Sequence, residues 1–219
     1  MKPEEIKRHY QEKKEQIEQR LDEFKQLKDE EDYRLFMELV FVILSSQTSA
    51  KDAWKATQEL DNKNLLLEGS KEEIAKVLRS NNVNYEENKS SYLVKNREML
   101  QQPTLSNPTN ELKLEEKINK ENPEKTREWM VENVKGISWK GASHFLRNIG
   151  YEDDFAIISQ HILSQMQELG VIETVEQPSN KEEYLKIEEK LQNFSKEIGI
   201  EIKSLDLVLW SMKTGEVFK

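Results

Sequence analysis

Lys140 follows Gly136 by four residues in the string Val134-Lys135-Gly136-Ile137-Ser138-Trp139-Lys140, a spacing that can set an amine nucleophile just after a phosphate-binding turn. Gly136 lies between two helical patterns, where a tight hairpin asks for a backbone conformation that a side chain resists. Such a hairpin points successive N–H groups and a helix N-terminus outward, and that geometry holds a phosphate. Ser138 is placed to cap the following helix, so Lys140 falls in its first turn. The positive end of a helix disfavours an ammonium, and partial burial beside Trp139 and Phe145 acts in the same direction. A lysine so situated can act as a neutral amine. The same spacing also fits an ordinary helix–turn–helix connection, with Lys140 a solvated surface residue.

Charge is distributed in a way that bears on this choice. The chain of 219 residues carries a net charge of −9, which as a total argues against nucleic acid. Phosphate responds to the local field. Across 134–150 the ionisable residues are Lys135, Lys140, His144 and Arg147, with no acid among them. With 36% hydrophobic and 34% charged residues the chain can build a core under a dense ionic surface. It has no cysteine, so disulfides, thiolate zinc sites and cysteine-held iron–sulfur clusters are excluded. Met1-Lys2-Pro3-Glu4-Glu5-Ile6 lacks the apolar core of a signal peptide, and the apolar run 35–44 is too short to span a bilayer. A soluble protein of the cytoplasm, associated with the nucleoid, is expected.

The elements that must position these residues read as helices throughout. Residues 4–31 carry a thin apolar stripe through Ile6, Tyr10, Ile17, Leu21 and Phe24, and 33–44 is apolar nearly all round. Ser49 can cap the next helix, and Ser70-Lys71-Glu72-Glu73 has the pattern of a capping box. A helix over 87–100 precedes a break at 101–108 that contains two prolines. Asn122-Pro123 opens another, and further helices are expected over 139–150, 155–169, 181–198 and 204–213. No strand alternation and no fixed repeat are present. The expected fold is all-α, with two helical lobes and a helix-hairpin-helix element at the cleft between them. The central lobe covers 34–150, and the second combines 1–33 with 151–219.

The string 134–150 continues through Ala142-Ser143-His144-Phe145-Leu146-Arg147-Asn148. It closely resembles the second, archaeal-type family of 8-oxoguanine DNA glycosylase/AP lyases, within the helix-hairpin-helix superfamily. The likeness extends to Ala156-Ile157-Ile158-Ser159-Gln160-His161-Ile162-Leu163 and to Leu205-Asp206-Leu207-Val208-Leu209-Trp210. A weaker likeness covers 36–50 and 85–97.

The resemblance implies that Lys140 attacks the sugar C1′ of a flipped-out nucleotide, expels the base and forms a Schiff base, after which the 3′ phosphate leaves by β-elimination. Extrusion is needed because the glycosidic carbon is out of reach inside the stack. It implies that Gln47, in Ser45-Ser46-Gln47, enters the gap left in the duplex, where an amide can face the orphaned base. Lys135, Gly136, Ser138 and Arg147 are expected to bind DNA. Asp206, Trp210 and Lys219 are expected to recognise the oxidised base, Asp206 and Trp210 sharing one helical face. By residue type alone, Gln47 also reads as a plain helix-terminus residue, Trp210 as core, and Lys219 as a frayed chain end. The partner implied is double-stranded DNA containing 8-oxoguanine or an abasic site, bound by a monomer, and no cofactor or metal is called for.

Two positions depart from the family pattern. Ser159 stands where the family has an aspartate that assists the nucleophile, and Asp153 and Asp154 lie upstream of it as candidate substitutes. Ser138 stands where a second hairpin glycine is usual. The first departure sets a second reading beside the enzyme: a catalytically impaired or inactivated protein that binds lesions or abasic sites. A third reading, from another class, is a helical interaction protein whose hairpin is only structural.

Overall fold

The most apolar stretch of the chain cannot stay in water, and it becomes the helix around which one half of the protein packs. The computed structural model describes residues 1–103, 105, 108–151 and 155–219. Residues 104, 106 and 107 of the expected break, and the candidate carboxylates Asp153 and Asp154, lie outside the described residues. The helices are α1 (Pro3–Gln26), α2 (Asp32–Ser45), α3 (Ala50–Asn62), α4 (Leu65–Glu68), α5 (Lys71–Ser80), α6 (Glu86–Leu100), α7 (Pro123–Asn133), α8 (Trp139–Asn148), α9 (Gln160–Glu168), α10 (Lys181–Ile198) and α11 (Ile202–Thr214). Among the described residues there is no strand, and no helix is long and apolar enough to cross a membrane.

By their internal contacts the residues form two compact units, one of Asp29–Phe145 and one of Met1–Lys28 with Leu146–Lys219. The sequence reading sets these boundaries at 33/34 and 150/151, a few residues later at each.

In the unit Asp29–Phe145, every residue of 35–44 in α2 is buried, including Glu38. Each fully buried Leu, Ile, Val or Phe there contributes about 1.5–3 kcal/mol over its exposed state. Glu38 sits 3.6 Å from the Arg34 guanidinium one turn earlier. Phe41 packs edge-on against Trp54 of α3 and against His144 of α8. Ser49 and Ser70 cap α3 and α5, and Ser70 with Glu73 closes the expected capping box. The short α4, with only Leu66 buried, has too few residues to show a periodic pattern and went unforeseen. Helix α6 differs more instructively. Its buried face includes Lys89, Ser90, Asn96 and Arg97 as well as Leu93 and Leu100. A helix can bury such groups when each finds a partner, and Arg97, for example, donates to the carbonyls of Leu66 and Gly69.

In the other unit, Ile6, Ile17, Leu21 and Phe24 of α1 are buried as the apolar stripe requires. The His9 ring meets the Ser211 hydroxyl of α11 at 2.8 Å. Gly150 has φ +79, and a Cβ there would lie 2.8 Å from Lys25 Cα and from the Phe24 carbonyl, so only glycine fits the approach. Residues 155–158, read from sequence as the start of a helix, are not helical. Side chains of α10 take up their backbone groups. The Ala156 N–H donates to buried Glu188, the Ile158 N–H lies 3.5 Å from the Tyr184 hydroxyl, and that hydroxyl donates to the Ala156 carbonyl. Helix α9 therefore begins only at Gln160.

Candidate nucleic-acid interface and nucleophile

Between α7 and α8 the chain turns over Val134–Ser138. Gly136 has φ +84, a left-handed conformation, and a Cβ there would lie 2.6 Å from the Tyr92 ring of α6. Glycine is thus required twice, by the dihedral and by the contact. Buried Asn96, one turn along α6 from Tyr92, braces the same hairpin: its amide donates to the Lys135 carbonyl at 2.9 Å and accepts from the Lys135 N–H at 2.8 Å. Lys135, Gly136 and Ser138 themselves are exposed. A rigid turn with its outer face in water is what a phosphate-binding hairpin needs.

Ser138 precedes α8 and accepts, weakly, from the Gly141 N–H at 3.4 Å, while its carbonyl accepts from Ala142. Lys140 is the second residue of α8 and is partly buried. Its neighbour Trp139 lies under the buried Arg127 guanidinium, 5.1 Å from the ring, and Arg127 also reaches Ser143 and Glu124. The start of α8 is therefore fixed by α7.

A second surface element lies in the same unit. After α2, Gln47 is exposed with φ +53, and Tyr85, exposed at the start of α6, has φ +59. Ser46, Gln47, Tyr85, Lys89, Tyr92 and Gly136 line one cleft of about 260 Å³, so the turn that carries Gln47 and the hairpin glycine border the same space. Lys89 at its floor is only 4% exposed. Burial, and then the positive charge of Lys140, push its ammonium down to about 8. Sequence reasoning missed Lys89, Tyr92 and Asn96; the only available signal was polar residues on the inner face of α6.

The remaining expected residues lie in the other unit. Ser159 caps α9, its hydroxyl accepting from the Ile162 N–H at 3.3 Å. Arg147, expected at the DNA surface, is instead buried at 6% exposure. Its guanidinium lies 3.4 Å from the Asp206 carboxylate and 4.7 Å from the Phe24 ring centre. Trp210, one turn after Asp206 on α11, is partly buried and meets His161 edge-on at 5.7 Å. Lys219 is partly covered. Among the described residues no cluster of His, Asp or Glu is arranged to hold a metal.

Comparison with known proteins converges on one group. Residues 17–200 match the family model described as 8-oxoguanine DNA glycosylase. The chain is 35% identical to the 8-oxoguanine DNA glycosylase/AP lyase of Fusobacterium nucleatum, over 98% of this chain and 96% of that protein. It is similar to the crystal structure of the 8-oxoguanine DNA glycosylase of Thermotoga maritima, with a TM-score of 0.87 at 34% identity, covering 99% of this chain and 98% of that one. It is also similar to the Methanocaldococcus jannaschii 8-oxoguanine glycosylase/lyase in its complex with a 15mer DNA containing 8-oxoguanine. That match has a TM-score of 0.84 at 31% identity and covers 98% of this chain and 99% of that one.

Proposed function

Because the chain belongs to the 8-oxoguanine DNA glycosylase family, we propose that Lys140 is the nucleophile with which it opens the damaged nucleotide. The protein is a base-excision glycosylase/AP lyase that binds DNA. In the proposed reaction the Lys140 Nζ lone pair forms a bond to C1′ of the extruded nucleotide, and the C1′–N9 bond breaks with its electrons leaving on the base, which takes a proton. The amine loses one proton, the C1′–O4′ bond breaks with O4′ taking a proton, and the nitrogen is left doubly bonded to C1′ as the protonated Schiff base. A proton then leaves C2′, and the C3′–O bond breaks to release the 3′ phosphate.

The observation that carries this reading is the place of Lys140, in the first turn of the helix that follows the braced hairpin, within reach of the field of Lys89. Lys140 lies close enough to Lys89 for its charge to act on that buried ammonium, so the two amines share one region beside the hairpin. In the same reading Lys135, Gly136 and Ser138 bind phosphate, and Gln47 faces the base left unpaired. Asp206, oriented by Arg147, accepts from N–H groups of the oxidised base, Trp210 stacks on it, and Lys219 assists. The protein acts as a monomer in the cytoplasm at the nucleoid, on duplexes with 8-oxoguanine or an abasic site.

The test is borohydride reduction during incubation with such a duplex. A covalent adduct that disappears in Lys140→Gln supports the reading, and an adduct that persists in that variant overturns the role of Lys140.

One observation favours a second reading, of slow or lost catalysis with binding retained. Ser159 holds no charge and spends its hydroxyl on the α9 cap. An electrostatic partner of a developing charge is worth on the order of 100-fold in rate. Duplex binding without an adduct would favour this reading.

A further inference from the structure

Lys89 sits where a lysine is expensive. Its side chain is almost wholly buried, and the one charge that acts on it among the described residues is that of Lys140, not a carboxylate. A buried ammonium without a counter-charge survives only if its donors are well used. All three donors are used, and on one short piece of chain: Nζ donates to the Leu44 carbonyl at 2.9 Å, the Ser46 carbonyl at 2.6 Å and the Thr48 hydroxyl at 3.0 Å. Leu44 is in the last turn of α2, whose carbonyls lack helical partners and whose negative end favours a cation.

These three acceptors flank Gln47, the residue held at φ +53 in a conformation that a side chain resists. The turn has a second tie. The Asn84 amide donates to the Gln47 carbonyl at 2.5 Å, and the Asn84 N–H donates to the same Thr48 hydroxyl at 3.1 Å. Strained backbone persists only where its surroundings over-determine it, and here the determining groups converge from α6 and from the turn that leads into it. Gln47 is exposed and makes none of these contacts with its side chain, so they fix the backbone from which its amide projects without occupying that amide.

We propose that Lys89 is the positioning residue for the 44–48 turn, its ammonium holding Gln47 in the pose that faces the base left unpaired when the damaged nucleotide is extruded. The inference rests on the reading of Gln47 given above. Lys89 is not required to touch DNA; it acts through Gln47.

The test is a double-mutant cycle on single-turnover excision from an 8-oxoguanine duplex, comparing the full chain with Gln47→Ala, Lys89→Met and the double variant. Misplacing a group that orients substrate costs up to about 100-fold, so Lys89→Met should lose on the order of 10- to 100-fold. Adding Gln47→Ala should then cost less than about twofold more, because a residue acting through another is non-additive with it. Losses that multiply, as for a merely structural role, or a Lys89→Met rate equal to the parent, would overturn the proposal. Lys89→Gln, which keeps an amide donor, takes the same place in the cycle if Lys89→Met does not fold. An unaltered rate in Gln47→Ala would sink both this proposal and the strand-gap role of Gln47, while the Lys140 adduct would remain.

Discussion

Asn96 exchanges two hydrogen bonds with the backbone of Lys135, donating to its carbonyl at 2.9 Å and accepting from its N–H at 2.8 Å. The amide imitates a backbone partner across 39 residues of sequence and fixes the hairpin from inside. Asn96→Ala removes both bonds and should lower stability by about 1–3 kcal/mol. The loosened hairpin should also weaken duplex binding. Denaturant unfolding and fluorescence anisotropy would check this; a variant unchanged in both would show that the hairpin holds its shape without α6.

Gly136→Ala meets two separate penalties. The left-handed backbone costs an alanine about 1–2 kcal/mol, and the new Cβ would lie 2.6 Å from the Tyr92 ring. Duplex affinity should fall, and the dependence of binding on salt should flatten as phosphate contacts are lost. Adding Tyr92→Ala relieves the contact but not the dihedral, so rescue should be partial. Complete rescue would mean that φ +84 matters little.

At Ser159 the local geometry already suits the aspartate that the resemblance sets there. The position is an N-cap with extended backbone, φ −89 and ψ 165, and aspartate caps about as well as serine. Ser159→Asp should therefore fold normally, while Ser159→Ala should lose about 1 kcal/mol. If the serine marks a missing electrostatic partner, the aspartate variant should excise 8-oxoguanine on the order of 100-fold faster in single-turnover assays. An unchanged rate would mean that another carboxylate already serves.

Stability should depend on pH through Lys89. Its pKa in the folded protein is about 8, against 10.5 for a free lysine. Below about 8 folded and unfolded chains both hold the proton. Between about 8 and 10.5 the unfolded chain keeps a proton that the folded one has released, so this group's contribution to stability rises with pH. Urea unfolding at about pH 7 and about pH 10 should show the parent gaining stability relative to Lys89→Met. Parallel behaviour of the two proteins would place the lysine in a far more solvated setting.

Much of this was legible from the chain itself. The apolar stripe located α1, the continuous apolar run located α2, and the glycine and serine around Lys140 located the hairpin and the start of α8. What escaped was long-range. Tyr92, Asn96 and Lys89 gain their meaning from Gly136, Lys135 and the 44–48 turn, none of which is near them in sequence. Residues 155–158 read as helical because their apolar run leads straight into the pattern of α9, but Glu188 and Tyr184 supply the hydrogen bonds that let them stay irregular. Arg147 reads as a DNA-binding cation from the resemblance and the acid-free stretch around it; in the fold it is buried beside Asp206, one turn before Trp210.

The central claim is that Lys140 forms the bond to C1′. The most direct measurement is mass spectrometry of peptides from the borohydride-reduced complex with an 8-oxoguanine duplex. The claim predicts a sugar-derived mass on the peptide that contains Lys140, on that amine, and none in Lys140→Gln. The same mass on another amine, Lys89 included, would contradict it.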